Sequence, residues 1–219
     1  MVLLAVHGSA SRTLAAERAT VHLDVQREGD DRAAVLEGVR SLRERLIDAA
    51  EGFLASGAAT RVGGSQLWVR TERRYEGRDE RERTVEVASA RVDARFRDLE
   101  ALAGWLLEVG SDPGVTIERI GWTLAAATRE AVNRELRLAA VRDATARAEA
   151  YGAAIGASGV VLRAVWEAGL RPGGDPSTTG AAKTRAMSAP GFALRPEDVE
   201  LEVVVSADFE AEVGSGTGR

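Results

Sequence analysis

The chain has two imidazoles, His7 and His22, and no cysteine. His22 stands two residues before Asp24 in a run where Ala19, Val21, Leu23 and Val25 alternate with Thr20, His22 and Asp24. Period-2 alternation places both polar side chains on one face of a strand. A carboxylate so placed could orient the imidazole as a general base. The plainer reading is the solvent face of a half-buried strand, and it is preferred. His7, in an expected first strand, is read as structural or exposed. No catalytic, cofactor-binding or metal-ligating residue is therefore assigned.

Other chemistries find little support. Without cysteine, and with no His-Glu-x-x-His spacing, a metal site would rest on carboxylates. Neither Gly63-Gly64 nor Gly173-Gly174 has the lysine and the strand-to-helix setting of a phosphate loop. The run from Arg70 to Arg83 holds six arginines, but Glu72, Glu76, Asp79, Glu80 and Glu82 are interleaved with them. Mixed signs predict a solvated hairpin with cross-strand pairs, one that could set register between subunits, and no nucleic-acid surface. Trp68, Trp105, Trp122 and Trp166 fall on three expected strands and a helix, where packing is their ordinary use.

The elements that would carry these residues follow from periodicity. Met1 to Val6 and residues 19–25 read as strands, and Asp30 is an N-cap candidate for a long amphipathic helix over 31–56 that Gly57 stops. Strands over about 65–75 and 82–97 form a hairpin around Gly77. The second changes phase near Ser89, where a bulge would restore inward-facing Val92, Ala94 and Phe96. Asp98 caps a helix burying Leu99, Leu102, Leu106 and Trp105, closed by Gly110 and Pro113. A strand over 115–126 leads to a second long helix opened by Thr128. Its stripe is Val132, Leu136, Ala140, Ala144, Ala148, Tyr151 and Ile155, rich in small residues that permit close packing on a sheet.

Strands over 160–168 and from Leu201 to Phe209 flank a Gly-, Pro-, Ser- and Thr-rich stretch at 170–196. That stretch exceeds the usual connection, and Met187, Pro190 and Phe192 would anchor it if it docks. The fold class is α+β: an antiparallel sheet of β-α-β-β-α-β order over 14–127, with the helices on one face, extended by a long helix and two strands. The last strand is expected to pair back into that sheet, giving one domain over 1–210 and a flexible tail at 211–219.

The segment Ala19-Thr-Val21-His-Leu23 resembles the early Ala-x-Val-x-Leu strand of the SIMPL-domain family. Ala140-Val-Arg-Asp143-Ala144 running through Arg147-Ala148 to Gly156 resembles that family's late Asp-Ala-x-x-Lys-Ala helix ending in Leu-Gly. This chain has Gly8-Ser-Ala10 where the family often has Gly-x-Gly, Ala16-Glu17 for Pro-Asp, and Arg147 for lysine. The resemblance implies long strands and helices in a group of unknown function with many bacterial members. These include self-assembling envelope proteins and proteins linked to stress or signalling, and the family supplies no agreed catalytic residues.

Charged residues make up 29% of the 219 residues, with a formal net charge of -5. That acidic balance gives no long-range attraction to nucleic acid or anionic membrane. No stretch approaches the roughly 20 apolar residues of a membrane span. As given, the chain reads as cytoplasmic, or as periplasmic if a leader was removed. The expected role is a non-enzymatic, self-associating binding or scaffold module without a cofactor, forming homo-oligomers or meeting a protein partner. The alternatives are a small acid-base enzyme or hydrolase using His22 and Asp24, and a small-ligand binder.

Overall fold

The computed structural model describes residues 1–76, 81–167, 169–171 and 194–213. In chain order the elements are β1 (Val2–Ala15), β2 (Arg18–Gly29), α1 (Arg32–Ala55), β3 (Ala59–Gly64), β4 (Trp68–Glu76), β5 (Arg81–Phe96), α2 (Leu99–Val109), β6 (Val115–Thr123), α3 (Ala126–Ala154), β7 (Ala157–Glu167) and β8 (Asp198–Val213). The class is α+β with antiparallel pairing throughout. Contacts divide the chain into two compact units: one holds Met1–Ala15 with the segments beginning at Leu124 and Asp198, the other holds Ala16–Thr123 and residues 194–197.

The unit from Ala16 to Thr123 carries the β-α-β-β-α-β order when β3 and β4 are taken as one interrupted strand. Its sheet runs β3-β5-β2-β6, with β4 also paired to β5. β3 lies along the second half of β5 and β4 along the first half, so together they form one interrupted edge strand. Asp31 caps α1, its carboxylate accepting the N–H groups of Ala33 at 2.8 Å and Ala34 at 3.3 Å. The expected cap, Asp30, instead accepts from Arg83 at 3.0 Å. Gly57, at φ +77°, ends α1 in the left-handed region that glycine adopts without a Cβ penalty. Asp98 caps α2 as expected, accepting from Glu100 and Ala101.

Both helices of this unit meet one face of the sheet. Phe96 of β5 lies 5.4 Å from Phe53 of α1 and 5.5 Å from Trp105 of α2, ring centre to ring centre. Around that trio Val21 and Leu23 of β2 and Val39, Leu42 and Leu46 of α1 are buried. The phase change in β5 is real but is not a bulge against β2, because that pairing runs unshifted from Ala19↔Phe96 to Gly29↔Glu86. Val85 and Val87 thus turn to the sheet face opposite Val92, Ala94 and Phe96. The extra residue lies on the edge side, between Gly64↔Val92 and Trp68↔Ser89.

The other unit has its own three-stranded sheet, ordered β1-β8-β7. Here the expectation of a single extended sheet is corrected: β8 pairs along its length with β1, from Val2↔Ala211 to Ala15↔Asp198, and not with the strands of the split βαβ plan. Its alternating Val203, Val205, Ala207 and Phe209 have a waiting partner in α3, whose buried stripe of Ala140, Ala144 and Ala148 packs against them and against Val6. The stripe ends at Gly152; Tyr151 and Ile155, expected inside it, are exposed. β8 also takes in 211–213, with Ala211 fully buried, so the expected tail shortens. The turn around Gly77, most of the 170–196 stretch with Met187, Pro190 and Phe192, and residues 214–219 lie outside the described residues.

Candidate functional site

The polar row of β2 faces away from α1 and α2. Across the ladder Thr20, His22 and Asp24 stand opposite Arg95, Asp93 and Arg91 of β5. His22 Nδ1 lies 2.6 Å from Asp93 Oδ1, with the ring N–H donating to the carboxylate. The imidazole therefore has an orienting carboxylate, but from β5 and not Asp24. Arg95 donates to the Thr20 hydroxyl at 3.3 Å, and Arg91 pairs with Glu118 of β6 at 2.8 Å. Most of this row is a satisfied polar sheet face; Asp24 is the member that no hydrogen bond or ion pair among the described residues engages.

Beside Asp24 the edge strand breaks. Ser65 donates its N–H to the Arg91 carbonyl at 3.0 Å and accepts the Arg91 N–H on its hydroxyl at 2.9 Å. The chain then leaves β5 for Gln66 and Leu67 and returns at Trp68. A depression of about 580 Å³ opens at the gap, lined by Asp24, Ser65, Gln66, Trp68 and Arg91 among others. Sequence reading missed this place. The available signal is the Gly63-Gly64 pair before it, which lacks the features of a phosphate loop.

His7, the other imidazole, sits in β1 opposite Ser206 of β8, whose hydroxyl lies 3.2 Å from Nδ1. Trp166 of β7 flanks Ser206 on the other side, with the Arg171 guanidinium 5.5 Å from the ring centre and bonded to Asp208 at 2.8 Å. Of the four tryptophans, Trp105 and Trp122 are core residues, whereas Trp68 is 48% exposed. Arg74 and Arg70 of the charged hairpin pair with carboxylates, though not across β4 and β5: Arg74 bonds Glu28 of β2 at 2.7 Å, and Arg70 bonds Glu72 within β4. No group of three His, Cys, Asp or Glu side chains that could hold a metal ion occurs among the described residues.

The helix motif around Asp143 has a mechanical role. Gly8 of β1 is pressed so closely to α3 that a Cβ there would lie 2.1 Å from the Ala140 carbonyl oxygen and 2.7 Å from the Ala144 Cβ. At that crossing Asp143 accepts the Ser9 N–H at 2.9 Å and is backed by Arg147 at 2.9 Å. These two bonds hold the Asp143 carboxyl below the usual aspartate range, the Ser9 N–H contributing most. A small residue for approach, a carboxylate for an outward-facing strand N–H and a cation to hold that carboxylate are what the spacing Asp143-Ala144 … Arg147-Ala148 supplies.

A split βαβ sheet in one unit and, in the other, a three-stranded sheet clamped to one helix by this motif define an α+β protein. Residues 4–209 match the profile of SIMPL, described as a protein of unknown function (DUF541), and the chain belongs to that family. No curated protein matches it. No helix among the described residues is long and apolar enough to cross a membrane.

Proposed function

We propose that this chain is a non-enzymatic scaffold module that associates with copies of itself through the open edge of its three-stranded sheet. One observation carries this reading. Among the described residues β7 is an 11-residue edge strand, and its Val161, Leu162 and Val165 are 49%, 43% and 41% exposed. A long apolar edge is a template for pairing with another strand, and proteins that stay apart blunt it with charge, proline or a short length. β7 carries Arg163, but that side chain is drawn to Glu210 of the neighbouring β8. The family resemblance, whose members include self-assembling envelope proteins and proteins linked to stress or signalling, points the same way.

Size-exclusion chromatography with light scattering tests the proposal. The wild-type chain should run above its monomer mass at high concentration, and a Val161→Lys, Val165→Lys double variant should return it to the monomer. A strict wild-type monomer at high concentration would sink the reading.

A further inference from the structure

We propose that the polar face of the β3-β5-β2-β6 sheet, over Thr20 and His22, binds a small anion carrying two or more phosphate groups. The inference is independent of self-association and rests on the unit from Ala16 to Thr123.

Strand register gathers arginines on this face. Arg61 of β3, Arg95 of β5, Thr20 of β2 and Gly121 of β6 form one row across the sheet, and Gly63, Asp93, His22 and Arg119 form the next. Directly opposed residues share a face, so the three arginines stand with Thr20 and His22. Arg18, two positions before Thr20 in β2, adds a fourth. With the following row included, these four and Arg91 face Asp24, Asp93 and Glu118. The local excess is positive in a chain whose net charge is -5.

The arginines are also unanswered. Elsewhere the protein pairs arginine with carboxylate, as in Arg27 with Asp112, Arg32 with Glu86 and Arg147 with Asp143. Arg61, Arg95 and Arg119 are exposed, and no carboxylate among the described residues pairs with them. The acids beside them are taken: Asp93 by His22 at 2.6 Å and Glu118 by Arg91 at 2.8 Å. Arg95 gives its Nε–H to the Thr20 hydroxyl oxygen at 3.3 Å, which leaves its terminal NH2 groups and the Thr20 O–H to donate. Arg61 directly opposes Arg95, and like charges so placed destabilise a sheet. An anion between them turns that repulsion into attraction, and guanidinium forks match phosphate oxygens. Gly63 and Gly121 put no side chain between the arginines, so the floor of the patch is open.

Span and surroundings select the ligand. Arg61 and Arg119 lie three strand spacings apart, about 14 Å between backbones, more than one phosphate bridges and within reach of linked phosphates when both side chains lean inward. The two rows hold no Phe, Tyr or Trp on which bases would stack, and no apolar side chain to enter a bilayer.

Amide chemical-shift titration of the full chain with inorganic tripolyphosphate tests this, with citrate as a compact polycarboxylate for comparison. The expected result is saturable shifts at Thr20, His22, Arg61, Arg95 and Arg119, with weaker binding of citrate. Arg61→Ala and Arg119→Ala should each weaken tripolyphosphate binding about fivefold or more, whereas Arg142→Ala, the same charge removed from α3, should leave it unchanged. Loss of the opposed charge means that Arg61→Ala should melt no earlier than wild type without ligand. Should either variant melt early, the shift map on the wild-type chain decides. No saturation by about 10 mM, shifts centred elsewhere, equal binding of citrate, or equal weakening by Arg142→Ala would overturn the proposal. So would tighter binding, through the same arginines, to phosphatidylserine vesicles or single-stranded DNA.

Discussion

At the residue scale the most informative group is Asp143, because it shows what a family motif is for. Its pKa is depressed in the folded chain by the Ser9 N–H and Arg147, so it favours the folded state at pH values above the ordinary aspartate pKa. That contribution is lost as pH falls through the lower folded value. Asp143→Asn should therefore lower the melting temperature near neutral pH, and the gap between variant and wild type should close on acidification through the lowered folded value. A gap of constant size across that range would show that the carboxylate's charge is not what matters. The motif could be recognised in the sequence but not explained there, since Asp143 and Ser9 are 134 positions apart. The same holds for His22: Asp24 was its visible neighbour, and the carboxylate it meets, Asp93, is 71 positions away.

At the scale of elements, what was legible is what is local. The three described helices are announced by apolar spacing, and Asp98 by its place before an apolar run. β3 was missed because Ala59-Thr-Arg-Val-Gly-Gly has no alternating bulky side chains; the ladder to β5 makes it a strand. Helix ends give a test. α1 and α2 each have an aspartate cap, whereas α3 begins at Ala125, whose extended backbone suits a cap but whose side chain makes no capping bond. Ala125→Asp should raise stability by about 1 kcal/mol in denaturant unfolding. No gain, or a loss, would mean that other contacts already hold the start of α3.

At the scale of the whole molecule the division into two units was the least legible feature. Alternation along Val203, Val205, Ala207 and Phe209 says that a strand has one buried face, not which sheet it joins. Only pairing with β1 decides it. Because Ala16–Thr123 is continuous in sequence and carries its own sheet and core, that segment expressed alone should fold cooperatively, read as dispersed amide resonances and a sigmoidal melt. A collapsed, poorly dispersed spectrum would show that it depends on the rest of the chain.

The central position of β8 bears on the order in which the chain becomes structured. Val2 pairs with Ala211, so the β1-β8 ladder closes the longest loop in the protein, and loop-closure entropy is met before those contacts stabilise anything. The split βαβ segment needs only nearer partners. It is thus the natural first nucleus, and its collapse shortens the path between β1 and α3. Until β8 pairs between β1 and β7, those two strands lack the neighbour that joins them and the alanine stripe of α3 lacks Val205, Ala207 and Phe209 to pack against, so this unit's core closes only when β8 is in place.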